Sequence, residues 1–107
     1  MDQAPIVGGL YASRTSDGDF RVTKVLVVDE FAVHVRMYAD RFAKLPTNLS
    51  SSDLSLGSLG GPGGFGIGHA PLSREGFLAE ERILLAVEQV QDEELDGYRI
   101  WAGEDDA

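Results

Sequence analysis

The segment GLYASRTSDGDFRVTKVLVVDEFAVHVRMYADRF (residues 9–42) alternates β-branched or aromatic residues with polar ones across two short turn signals, the signature of an antiparallel meander. Its first strand falls within residues 6–14 and ends before SDGD, where Asp17-Gly18 supplies the positive φ of a tight hairpin. In the next run, 20–28, Phe20, Val22, Leu26 and Val28 share one parity, with Arg21 and Thr23 on the other. Val25 and Val27 join that second parity, so the strand is expected to be buried on both faces toward its end. Asp29-Glu30 forms a turn, and residues 31–39 give the clearest period of two. Phe31, Val33, Val35 and Met37 point one way, toward the core, and Ala32, His34, Arg36 and Tyr38 point the other.

Downstream of this meander (6–45) the signals change. Residues 46–72 are dominated by Ser, Gly, Asn and Pro and read as a loop. Leu49, Leu54, Leu56, Leu59, Phe65 and Ile67 are the residues by which parts of it pack down. Ser73 suits the N-cap of a short helix with Glu75 in its first turn. Residues 83–90, ILLAVEQV, read as a strand; a continuous helix over 73–90 is the alternative that periodicity leaves open. Asp92 can cap a helix running to about Trp101, placing Leu95, Tyr98 and Trp101 on one face over the end of the sheet. The 107 residues form one domain of a mainly β (α+β) class. The expected architecture is a small antiparallel barrel with a Gly-rich insertion, one or two short helices and a C-terminal helix on the sheet.

Within residues 8–42, Ala12, Asp17, Gly18, Asp29 and Tyr38 stand where a Tudor-like or SH3-like barrel has them, and the segment resembles that family. The resemblance implies an SH3-like barrel and, for its Tudor branch, an aromatic cage that binds a methylated cation. Here the two cage positions flanking the hairpin carry Arg14 and Arg21, which repel a methylammonium, and only Tyr38 matches. The barrel is therefore expected without the methyl-reading function.

Nine basic against eighteen acidic residues give a net charge of −9. That balance opposes nucleic-acid and anionic-membrane partners and favours a basic protein. The acidity is local: residues 78–107 hold ten acids and two arginines, and residues 1–77 hold eight acids and seven bases. Glu93, Glu94 and Asp96 are the expected acidic partner surface, with a solvated helix face and frayed tail as the plain alternative. No apolar run reaches the roughly 20 residues of a membrane span, and no signal sequence is evident at the N-terminus, so the expected compartment is the cytoplasm. There is no cysteine, which removes disulfides and thiolate chemistry.

Among candidate sites, Gly61, Gly63 and Gly66 satisfy GxGxxG. The motif follows a serine-rich loop instead of a parallel strand, carries Pro62, and lacks a following GK[ST], so no nucleotide cofactor is expected. His34, Arg36 and Tyr38 form either a polar binding row or an ordinary solvated sheet face. His69 joins His34 and an aspartate as a metal site only if the loop folds back, and two histidines thirty-five residues apart do not establish one. Ser58 or Ser73 beside His69 lacks the context of a nucleophile elbow. The expected function is a non-catalytic protein-binding module whose candidate contacts are His34, Arg36, Tyr38, Phe65, Ile67 and His69. The alternatives are an immunity or inhibitor protein against a basic toxin or enzyme, and a small-ligand domain or enzyme on the His34 face. No cofactor and no metal are expected.

Overall fold

The computed structural model describes residues 5–30, 32–56 and 66–103. Three strands form the meander: β1 (Gly9–Arg14), β2 (Phe20–Val28) and β3 (Val33–Phe42). A 3-10 turn (Ser51–Asp53), β4 (Ile67–Leu72), α1 (Arg74–Ala79) and β5 (Ile83–Val87) follow. A second 3-10 turn (Asp92–Leu95) leads into α2 (Asp96–Ala102). All pairings are antiparallel, and the strand order is β4-β3-β2-β1-β5.

The sheet is mainly what the alternation pattern requires, with three corrections. It does not close: among the described residues β4 and β5 are its two unpaired edges, so the expected barrel is one open sheet. Part of the 46–72 loop is strand, because residues Ile67 to Leu72 complete the free edge of β3. Gly66 leads into that strand; a Cβ there would lie 2.1 Å from the Met37 carbonyl oxygen, so only glycine allows this approach. Gly61, Gly63, Leu59 and Phe65 lie outside the described residues, as does Phe31. Third, Asp92 does not cap the C-terminal helix: it opens a 3-10 turn whose N-cap is Gln91, and α2 follows with Leu95 at its N-cap and no side-chain cap. The strand over 83–90 is present but ends at Val87, and Ser73 caps α1 by accepting the Gly76 N–H at 2.8 Å.

Burial on both faces of β2 and β3 creates two layers over the sheet. On the first face Tyr11, Val25, Val33, Val35 and Phe77 pack together, joined by Met37, Ala70 and Leu72. Phe77 is the one buried residue of α1, and its ring meets Tyr11 edge-on at 5.4 Å. On the second face Leu10, Val22 and Tyr38 are covered by Leu49, Leu54 and Leu56, the loop residues expected to pack down.

The second face also buries a charge. Lys24 stands across the sheet from Leu10 and Arg36 and is only 1% exposed. Its Nζ donates to the Gln89 carbonyl at 3.0 Å and to Glu94 Oε1 at 2.9 Å, and Glu88 lies 3.5 Å away. Glu94 Oε1 also accepts the Gln91 N–H at 2.8 Å. A buried ammonium is tolerated only when its donors are matched in this way. Lys24→Met takes the nearer cation from the buried Glu94, leaving only the Arg36 guanidinium at 3.9 Å, and is expected to cost about 3–5 kcal/mol in urea unfolding. Combining it with Glu94→Gln is expected to restore a large part of that loss.

Candidate functional site

The second face carries two adjoining polar clusters, both reached from β3. Three residues of that strand, His34, Arg36 and Tyr38, share one parity, as the period of two demands. They are not a solvated row. His34 is fully buried and Tyr38 is 4% exposed; Arg36 is partly buried beneath the chain that returns from β4 and β5.

Around His34 the loop does fold back. β3 and β4 pair with His34 opposite Pro71, which brings His69 beside it. His34 Nδ1 lies 2.9 Å from His69 Nε2, and His34 Nε2 lies 2.8 Å from Asp29 Oδ2. Asp29 is placed by the turn before β3, where its Oδ1 accepts the Ala32 N–H at 2.7 Å. Arg74 clamps the same turn through the Asp29 carbonyl at 2.8 Å. With His34 neutral, its Nε2–H donates to the carboxylate and its Nδ1 accepts from His69 Nε2–H. The two imidazoles lie nearly parallel with centroids 5.1 Å apart. Tyr98 and Trp101 of α2 meet the His34 ring edge-on at 4.7 and 4.5 Å. This close seating needs Gly97, because a Cβ there would lie 2.5 Å from His69 Cβ.

Chemically this is a carboxylate–imidazole–imidazole chain that joins the 29–32 turn, β3, β4 and α2. Among the described residues no group of three or more His, Asp or Glu side chains is arranged to hold a metal. Ser73 uses its hydroxyl to cap α1, and Ser58 lies outside the described residues.

The neighbouring cluster contains Arg36, Tyr38, Lys24, Glu88 and Glu94. Arg36 Nε donates to the Gly68 carbonyl at 3.2 Å, and its guanidinium is 3.9 Å from Glu94. Burial, reinforced by Glu94, pushes the Tyr38 hydroxyl up to about 12, so it stays a neutral phenol. Glu88 accepts the Ser51 N–H at 3.0 Å; hydrogen bonds from Ser51 and Ser50 and the Lys24 charge hold its carboxyl below the usual range against the opposing effect of burial. A cleft of about 480 Å³ opens here, lined by Arg36, Tyr38, Ser51, Leu56, Glu88 and Glu93 among others.

The remaining candidates scatter. Ile67 is 42% exposed at the start of β4, and Phe65 lies outside the described residues. Of the acidic trio, Glu93 and Asp96 face solvent, but Glu94 is 6% exposed and turned inward to Lys24. It is therefore removed from the expected partner surface. Sequence reading missed Asp29 as the partner of His34, since its Asp-Glu context marks only a turn. It also missed Lys24, whose strand position gives no sign that a carboxylate seventy residues away will meet it. No protein-family model, curated protein or solved structure matches this chain.

Burial first, and then electrostatic coupling to the adjacent His34, lower the pKa of His69. A histidine whose folded pKa lies below its unfolded value near 6.5 takes up its proton more readily when unfolded, so folding stability falls as pH drops below about 6.5. The melting temperature is expected to decline between pH 6.5 and 5 in the wild type. His69→Gln should flatten that segment of the profile.

Proposed function

We propose that this chain is a non-catalytic protein-binding module that takes an extended segment of a partner onto the free edge of β5. The observation that carries this reading is the character of that strand. All five residues, Ile83-Leu84-Leu85-Ala86-Val87, are apolar and none is buried; Ile83, Leu84 and Val87 are 38, 41 and 57% exposed. Ile6 and Val7, 41 and 51% exposed, extend the apolar surface beyond Gly8, which pairs with Glu88. Natural sheets protect their edges with charge, proline or a bulge that turns the edge away. An apolar edge kept open offers main-chain donors and acceptors together with side-chain contacts, as strand addition requires.

The flanks set the charge of the partner. Glu80 and Glu81 precede the strand, and Gln89, Asp92 and Glu93 follow it on the exposed side. In a chain of net charge −9, an apolar segment with Lys or Arg at its ends is favoured, and its association weakens with salt. The Tudor-like cation cage has no support from Arg14 and Arg21.

Selection from a random peptide library is expected to yield apolar cores with basic flanks, and titration should shift the backbone amides of residues 83–87. Because Leu84 and Val87 are exposed, Leu84→Lys and Val87→Glu should leave the melting temperature within a few degrees of wild type and weaken binding at least tenfold. Peptides that bind both variants as tightly as the wild type would overturn the β5 reading.

A further inference from the structure

Two clefts lie over the sheet. The one beside the β1–β2 hairpin is lined by Arg14, Arg21, Arg41 and Arg82. Each of these guanidiniums already has an acceptor inside the fold, at Gly18, Tyr38, Asp17 and Phe77 in that order. The cleft of about 480 Å³ on the second face is different. It opens between β3, the 50–56 segment and the returning 88–94 segment, and its volume falls within the roughly 300–1,000 Å³ of small-molecule sites. Among the described residues none of 83–87 lines it, so a ligand there is independent of the β5 edge.

Arg36 lines this cleft with hydrogen-bonding capacity to spare. Its Nε donates to the Gly68 carbonyl at 3.2 Å. Its carboxylate neighbour Glu94 stands 3.9 Å from Nη1 and is bonded to Lys24 at 2.9 Å. Among the described residues neither Nη nitrogen has an acceptor within hydrogen-bond distance. Thr15 Oγ1 is the one buried side-chain polar atom left without a partner among those residues, so the Arg36 nitrogens are open to solvent.

Formal charge inside the cleft is nevertheless even. Lys24 and Arg36 are two cations, and Glu88 and Glu94 are two carboxylates at 2.9 to 3.9 Å from them. A simple anion would add unmatched charge to a chain of net charge −9. A simple cation would face Arg36 with both inner carboxylates already paired. Glu93, exposed, lines the same cleft, as do the Ser50 and Ser52 hydroxyls, 3.0 Å apart. Leu54 and Leu56 give it an apolar wall. Donors on β3 and acceptors at the lip thus stand beside an apolar surface.

We infer that this cleft binds a zwitterion, an α-amino acid with an apolar side chain. Arg36 takes the carboxylate through paired N–H donors, Glu93 takes the ammonium, and the side chain lies on Leu54 and Leu56. A ligand of zero net charge leaves the inner balance undisturbed.

The probes are L-leucine and L-phenylalanine, titrated into the full chain at neutral pH, each beside its N-acetyl form, which keeps only the carboxylate, and its amide form, which keeps only the ammonium. Calorimetry gives the affinity, and backbone amide NMR shifts give the place. At least one amino acid is expected to saturate, with shifts at residues 50–56 and 88–94, and to bind about tenfold more tightly than its N-acetyl and amide forms. Arg36→Lys keeps a charge beside Glu94 but loses the fork, and should weaken binding about tenfold. Glu93→Gln, at an exposed position, should leave the melting temperature within a few degrees of wild type and narrow the preference over the N-acetyl form about fivefold. No saturation by either amino acid, equal affinity for an N-acetyl or amide form, unchanged affinity in Arg36→Lys, an unchanged preference in Glu93→Gln, or shifts confined to residues 83–87 would each overturn the proposal.

Discussion

A lysine ammonium with 1% exposure in the middle of β2 is the constraint on which the second face depends. Burying Lys24 is affordable only if its protons find acceptors, and the sheet itself provides none of those observed. They come from Gln89, Glu88 and Glu94, all C-terminal to β5. Satisfying one strand residue therefore draws the 88–95 segment back across the sheet. α2 is carried with it to the place where Tyr98 and Trp101 close over His34. The hydrophobic clusters give the sheet its cohesion, but apolar contact is non-directional. The lysine and its carboxylates specify where the returning chain lies.

The two faces consequently differ in kind. The first is apolar beneath α1 and becomes cationic toward the open end of the β1–β2 hairpin. The second is apolar beneath the 49–56 segment and polar beneath the 3-10 turn and α2. Among the described residues neither covering layer buries β5, so the apolar strand that completes the sheet keeps Ile83, Leu84 and Val87 exposed. Net acidity and local basicity coexist for a similar reason. Glu94 is consumed inside the fold, while arginines far apart in sequence gather at the hairpin end.

Elements governed by neighbours in sequence were legible. Asp17-Gly18 turns as its dipeptide requires, with Gly18 at φ 90°; Ser73 caps a helix, and Val33 and Val35 lie in the core. Those governed by distant partners were not. The 67–72 segment looks like loop because Gly, Pro and His are poor strand formers, yet it pairs with β3, whose edge is otherwise open. His34 and Tyr38 alternate as solvated residues should, and become buried because chain from elsewhere covers their side of the sheet.

Alternation, turn residues and caps within the chain were enough to specify a mainly β meander, the first of its two buried faces and the short helices, because those preferences act over two to four residues. Tertiary structure alone decided that the sheet stays open at β4 and β5, that Lys24 and Glu94 meet inside, that Asp29, His34 and His69 form one chain, and that four arginines share a cleft. Each of these is a contact between segments far apart along the chain. Its free energy depends on burial and on the loss of water, which local sequence preference does not encode.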